Sequence, residues 1–339
     1  RNPATAATRR HAPVASANAT DESEAAFRRG DCPSAFRLLE RSAANDPRAQ
    51  FIRGMCYAVG LGVERNAPYG RSLLQAASAA GHAEAAFALA RLIETDGAAA
   101  TQEERLLGMR MLEQAAKAGW APAQARLGVR HFRGEDVPAD LRAARRWLTL
   151  AAEAGQADAQ NLVGVMHERG YGQKPDPAAA VGWYRKAADQ GDADALHNLA
   201  ALYEAGKGVP RDDAEALKLY RSAIERGSAP AMSNAAGMLL AGRGAPADRG
   251  QAIALYRRAA DLGHAPALFN LGVLLLEDKA PDTRAEGLAL VRRAAAQGEP
   301  AAMNHLGTLL ASRNDAAAAD LAEARTLLER ASAAGFAPA

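Results

Sequence analysis

Residues 157–192 read ADAQNLVGVMHERGYGQKPDPAAAVGWYRKAADQGD, and residues 193–228 follow at once with ADALHNLAALYEAGKGVPRDDAEALKLYRSAIERGS. The two blocks are one unit written twice. Each opens on Ala-Asp-Ala, sets an apolar residue beside a small one (Val163-Gly164, Leu199-Ala200) and turns on Gly-x-Gly (Gly170 to Gly172, Gly206 to Gly208). Each then places large residues side by side (Trp183-Tyr184, Leu219-Tyr220) and closes on glycine (Gly191, Gly227). Fixed-period repetition at this length predicts stacked supersecondary units that bury their apolar faces against one another and work through long surfaces.

The closing glycine recurs outward in both directions, at Gly81, Gly119, Gly155, Gly191, Gly227, Gly263, Gly298 and Gly335, and Asn45 stands one period before Gly81. Gly and Asn reach the left-handed conformation that ends a helix, so each rung terminates one. The alanine-rich segment ahead of each rung is helix B, with Trp147, Trp183, Leu219 and Leu255 at one height and Leu148, Tyr184, Tyr220 and Tyr256 at the next. The segment after each rung is helix A, with Leu127, Val163, Leu199, Leu271 and Leu306 beside Gly128, Gly164, Ala200, Gly272 and Gly307. The small residue marks a close helix crossing. A second glycine series, Gly134, Gly170, Gly206 and Gly242, followed by Pro or Asp, turns the chain from A into B. Two connections, 97–104 and 314–323, read as longer loops.

Composition narrows the function. A net charge of +2 over 339 residues provides no field for general nucleic-acid or anionic-membrane binding, and no apolar run approaches the length of a membrane-spanning helix. A hydrophobic fraction of 49% with only 5% aromatic residues suits thin, closely packed helices. Residues 1–20 are small and polar without an apolar period and read as a disordered leader or linker; residues 21–339 form the repeat domain. The chain begins with Arg, so the expectation is a processed form, its signal peptide removed, or an excised piece.

The string A-x-A-x-x-N-L-G-x-x-Y-x-x-G-x-G-V, followed by A-x-x-W-Y-x-K-A-A-x-x-G, resembles the Sel1-like repeat, most closely over Ala193 to Gly208 and Val181 to Gly191. The resemblance covers about eight units, near 47–82, 83–120, 121–156, 157–192, 193–228, 229–264, 265–299 and 300–336. It implies an all-α, α/α superhelical solenoid related to tetratricopeptide repeats, with A helices lining the concave face. It also implies a bacterial signalling, envelope or secretion role in which the repeats hold partner proteins. Three departures stand out: Arg53 where Leu is usual, EDKAPD at 277–282 in place of Gly-x-Gly-Val, and SRND at 312–315.

Candidates for chemistry reduce to packing. His131 and His167 share a helix A position that is Tyr203 and Leu239 in the next units, which makes it a core position rather than a metal site. The Gly-x-Gly turns lack the strand and the Lys-Ser/Thr of a phosphate loop. No catalytic triad is recognisable, so the reading is no enzyme, no metal and no cofactor. Trp147, Trp183 and the tyrosine row read as core, not as a base-stacking platform.

What remains is the helix A face that packing leaves free. It carries a charged row, Arg91, Arg133 and Arg169, with Glu168 beside it. It also carries a polar row, His197 and Asn198, Asn234, Asn270 and His305, and an apolar patch of Phe269, Val273 and Leu276. The asparagines have two readings: a ladder that holds an extended peptide backbone, or bonds that tie neighbouring helices together. The function expected is a non-catalytic scaffold or regulator that binds a partner protein or peptide, acidic at one end and apolar at the other, on the concave face. The alternative is an envelope glycan-binding or polysaccharide-assembly module.

Cys32 lies thirteen residues before Asn45 and Cys56 eleven after it, so on two antiparallel helices they stand nearly level and are expected to form a disulfide. A bridge points to the bacterial periplasm or the outside; two buried thiols would point to the cytoplasm. The last residues, AAGFAPA, repeat the phrase KAGWAPA of 117–123 that opens another unit. The last helix B is therefore expected to lack a cap, which a longer chain, a partner or self-association with a second copy would supply.

Overall fold

In the computed structural model the period resolves into antiparallel helix pairs. The structure describes residues 17–40, 45–97, 100–312 and 317–335. Among these are eighteen α-helices and no strand. They fall into two compact units, residues 1–159 and 160–339. The first holds α1 (Ala17–Arg28), α2 (Cys32–Leu39), α3 (Pro47–Val59), α4 (Ala67–Ala79), α5 (Ala83–Thr95), α6 (Gln102–Lys117), α7 (Ala121–Arg133) and α8 (Leu141–Glu153). With α9 (Ala157–Arg169), which starts at the boundary, the second holds α10 (Pro177–Asp189), α11 (Ala193–Ala205), α12 (Asp213–Glu225), α13 (Ala229–Leu240) and α14 (Arg249–Asp261). It continues with α15 (Ala265–Leu276), α16 (Pro281–Ala296), α17 (Pro300–Ala311) and α18 (Ala318–Ala333). From α3 onward, odd-numbered helices are A and even-numbered helices are B.

Every B helix from α4 onward ends at a left-handed glycine of the predicted ladder, from Gly81 (φ 90°) to Gly335 (φ 81°). The turn from A to B is set by a second recurring device. Asp140, Asp176, Asp212 and Asp248 cap α8, α10, α12 and α14, each side chain accepting amide N–H groups of the first helical turn. Their own backbone N–H groups donate to the carbonyls of His131, His167, Tyr203 and Leu239 at 2.7–3.0 Å, which locks each turn onto the end of helix A.

The helix crossing falls at the small residue. A Cβ on Gly128 would lie 2.6 Å from Leu148 Cγ, and one on Gly272 would lie 2.8 Å from the Gly287 carbonyl oxygen. Next to it the seventh residue of helix A is buried in unit after unit, as Leu89, Leu127, Val163, Leu199, Ala235, Leu271 and Leu306. On helix B, Leu74, Leu112, Leu148, Tyr184, Tyr220 and Tyr256 fill the core, whereas Trp147 and Trp183 are only half-buried, under the cations of Arg146 and Lys186. Arg53 takes the seventh position of α3 and donates to the carbonyl of Leu39 at the end of α2.

Several boundaries differ from expectation. Helix α1 begins at Ala17, inside the segment read as leader, and its Ala19 and Thr20 are buried; residues 1–16 lie outside the described residues, as do 336–339 at the chain's end. Each of the two long loops gives part of its length to a helix. Thr101 and Glu104 form a capping box that starts α6 at Gln102, and α18 starts at Ala318; residues 98–99 and 313–316 are not described. In the unit reading EDKAPD, α16 begins on Pro281 at its first turn and runs 16 residues where its neighbour α14 has 13.

The crossing yields a paired test. A Cβ on Gly164 would lie 2.5 and 2.6 Å from ring carbons of the buried Tyr184, so Gly164→Ala is expected to cost about 1–3 kcal/mol in urea unfolding. Gly182, mid-helix in α10 with nothing within 4 Å of its Cβ direction, is the control: Gly182→Ala is expected to gain up to about 1 kcal/mol.

Candidate functional site

In the second unit the polar row of helix A is spent inside the protein. Asn198 Nδ2 donates to Asn161 Oδ1 at 3.0 Å, and His197 Nδ1 faces Asn198 Oδ1 at 3.3 Å. Asn234 Nδ2 lies 3.2 Å from His197 Nε2 and donates to the Tyr220 hydroxyl at 3.0 Å. Tyr220 donates in turn to Glu204 at 2.9 Å, and Arg243 closes the chain on the same carboxylate at 2.7 Å. With Nδ1 as donor and Nε2 as acceptor, a neutral His197 completes an unbroken relay. Asn270 meets the Tyr256 hydroxyl in the same way. The structure thus brings His197, Asn198 and Asn234 together as helix-to-helix ties, and their amides are not laid out as a free ladder. Phe269 and His305 meet edge to face at 5.8 Å, and Val273 and Leu276 are half-buried.

A glutamate recurs at the twelfth position of helix A as Glu94, Glu168 and Glu204, and its partner changes from unit to unit. Tyr184 donates to Glu168 at 2.8 Å and Tyr220 to Glu204, each from helix B of the same repeat; burial pushes both phenols upward from their ordinary pKa. Arg169 stays exposed, with Nε 4.0 Å from Glu168. In the repeat that carries Glu94 the tyrosine's place is taken by Leu112, which cannot donate.

Three guanidinium groups converge on Glu94 instead. Arg126 Nε donates to Oε1 at 2.8 Å and Arg130 Nη2 at 2.5 Å, while Oε2 pairs with Arg126 Nη2 at 2.5 Å and with Arg91 Nη1 at 3.7 Å. The contact from Arg91 is beyond hydrogen-bond reach and that from Arg126 is close but poorly angled, so this buried oxygen has no aligned donor. Arg130 is 11% exposed and also reaches Met109 Sδ and, at 3.3 Å, Asp136. Other repeats place Cys56, Met166, Leu202, Met238 and Leu274 at the position of Arg130, all buried. Asp136 occupies the second glycine of the turn and is the one non-glycine at positive φ among the described residues, at 59°. Its strain is offset by a carboxylate aimed at the buried charge. Two clefts flank the pair Arg126 and Arg130: one of ≈ 360 Å³ whose lining includes Phe87, Val129 and Arg133, and one of ≈ 310 Å³ whose lining includes Ile93, Arg105 and Asp136. Arg91 and Arg133 were legible on this face. Arg130 was not singled out, although an arginine at a position apolar in its neighbours is a readable signal.

Cys32 and Cys56 are both buried and stand against one another, as their spacing predicts, but they are free thiols in this structure and the expected bond is not formed in it. Burial, and then the neighbouring Cys32 thiol, pushes Cys56 up to about 12. Among the described residues no group of three His, Cys, Asp or Glu is placed to hold a metal ion, and no helix is long and apolar enough to cross a membrane.

Burial holds His82, His197 and His264 below the usual imidazole range; for His197 the bond to Asn198 and the charges of Asp194, Glu204 and Glu168 act the other way without prevailing. A folded pKa below the unfolded one leaves stability intact above about 6.5 and erodes it as pH falls toward the folded value. Melting temperatures are therefore expected to drop between about pH 7 and 5. His197→Gln, which does not titrate there, is expected to make that drop shallower, and an unchanged slope would count against the relay.

A family model described as Sel1 repeat matches residues 47–82, 83–120, 121–156, 157–192, 193–228, 229–264, 265–299 and 300–336. No curated protein matches the chain. Among solved structures, a protective antigen present in uropathogenic Escherichia coli strains and displaying an SLR fold is 25% identical, with a TM-score of 0.70 over 89% of this chain; the chain spans 64% of that protein. A Sel1 repeat protein from Oxalobacter formigenes is also 25% identical, with a TM-score of 0.62 over 72% of this chain and 97% of its own. Eight consecutive matches, borne by the helix pairs from α3 to α18, place the chain in the Sel1 repeat family.

Proposed function

We propose that the protein is a non-catalytic interaction module that takes a segment of a partner protein on the helix A face of its first unit. Sel1 repeat proteins generally mediate protein–protein interaction, and their fold is typically non-catalytic. The observation that carries the choice of face is the gathering of Arg91, Arg126 and Arg130 on the single carboxylate of Glu94, beside clefts open to a side chain. In the second unit the equivalent glutamates accept from buried tyrosines, and the asparagines bond to Asn161, Tyr220 and Tyr256.

The compartment belongs to the same reading. Cys32 and Cys56 are neighbours in an apolar cluster with Ala35, Leu39 and Ile52. In the bacterial periplasm or outside the cell, a disulfide-exchange donor would take two electrons and two protons from the pair, leaving as a dithiol. The closed loop would add about 3 kcal/mol on the chain-entropy model. Intact mass of protein recovered from the native host, without reductant, is expected to fall two hydrogens short of the dithiol form; the full dithiol mass would assign the chain to a reducing compartment.

The face is tested with the exposed arginines, whose reversal leaves the core untouched. Immobilised wild type is expected to retain a partner that Arg133→Glu and Arg91→Glu retain severalfold less, with the wild-type yield falling as salt rises. Arg146→Glu, on helix B, should match wild type. Equal retention by all four baits would remove the helix A face of the first unit from consideration.

A further inference from the structure

Two departures from the repeat, Arg130 and Asp136, meet in the first unit beside a glutamate whose own helix pair offers it no tyrosine. Arg130 stands where five other repeats bury an apolar residue, Asp136 stands where four others turn on glycine, and Leu112, like Leu74 and Leu148, stands where three repeats carry tyrosine. Each alone is costly: a nearly buried guanidinium, a left-handed aspartate and a glutamate deprived of its neutral donor. Together they build a guanidinium pair bordering both clefts: Arg126 and Arg130 both meet Glu94, and Arg130 also meets Asp136.

We infer that this pair is a receptor for a carboxylate from an acidic segment of the partner, and that Glu94 occupies it as a built-in competitor in the free protein. The inference rests on the helix A reading above and names the chemistry that face recognises. Charge complementarity argues for it. Arg91, Arg126 and Arg130 share one carboxylate, and Arg130 alone has a second, Asp136. Arg133, lining the larger cleft, has only a 3.4 Å contact with exposed Glu135. Asp158, on the same lining, accepts from its neighbour's amide at 2.8 Å. Arg126 spends Nε and Nη2 on Glu94, and a guanidinium offers five N–H donors in a fork that suits a planar carboxylate. Phe87 and Val129 line the same cleft and give the aliphatic stem of a glutamate or a flanking apolar residue a dry wall. The buried Oε2 of Glu94 has no aligned donor, which leaves the pair open to competition from an incoming carboxylate.

The test is titration calorimetry of the whole chain with hexaglutamate, hexaglutamine and inorganic phosphate as probes, at low and high salt. Hexaglutamate is expected to bind and hexaglutamine not; Arg126→Ala should weaken the binding roughly tenfold, and Glu94→Gln, which keeps the side chain's shape and removes its charge, should strengthen it roughly threefold. A thermal melt of each variant establishes that it is folded, and Arg126→Lys, with charge but no fork, should fall between wild type and Arg126→Ala. Hexaglutamate binding no better than hexaglutamine, phosphate binding more tightly than hexaglutamate, or Glu94→Gln weakening the complex would each overturn the carboxylate assignment. If the partner's retention still depends on Arg133 while hexaglutamate is ignored, the helix A face stands and only the carboxylate receptor falls. Retention independent of Arg133 would fell the reading beneath it as well.

Discussion

The closeness of helix A to helix B at the eighth residue of A sets what every other position can be. Where that residue is Gly128, Gly164 or Gly272, a methyl group would already collide with Leu148, Tyr184 or the backbone of α16. Helices that approach this far bring dispersion contacts between whole backbones, and they leave room mainly for alanine between them. Hence a chain with 49% hydrophobic residues and 5% aromatics: backbone fills the volume that phenylalanine would occupy in a thicker core. The seventh residue of A and the leucine or tyrosine of B fill the crossing, and further large side chains such as Leu202, Met238 and Leu274 are buried at the tenth residue of A.

Backbone constraints of this kind are legible because each demands one residue type at one place. A left-handed helix end demands glycine, a close crossing demands a small residue and a capped turn demands aspartate, so the period, the helix pairs and their faces could be read without a structure. Connections were less legible because Gly-x-Gly was the mark by which they were recognised. Where it is missing, at 97–104 and 277–282, helix B simply starts earlier, and the capping box of Thr101 and Glu104 was the available sign. The start of α1 at Ala17 was hidden for a similar reason: alanine, serine and asparagine carry no apolar period, yet Ala19 and Thr20 pack against the following helices.

The polar positions were half legible. That Asn198, Asn234 and Asn270 lie on helix A followed from the period; that they are tied to Asn161, Tyr220 and Tyr256 did not, because the bonds join residues fourteen to thirty-seven apart whose side-chain directions depend on the crossing. The same glutamate position shows how one change redirects a unit. With tyrosine on helix B the carboxylate receives a neutral, buried donor and the repeat closes on itself. With Leu112 there, it has no donor from its own pair and draws arginines from the next helix A.

That substitution bears on how little the overall charge says about recognition. A net +2 spread over 339 residues describes the far field, but at physiological salt a partner senses charges only within about 8 Å. Inside that distance of Glu94 stand three guanidinium groups, whereas Glu168 and Glu204 of the second unit accept from phenols. Repeats that obey their own pattern provide length and stiffness; the repeat that departs from it at Arg130 and Asp136 concentrates charge, at a cost in burial and strain.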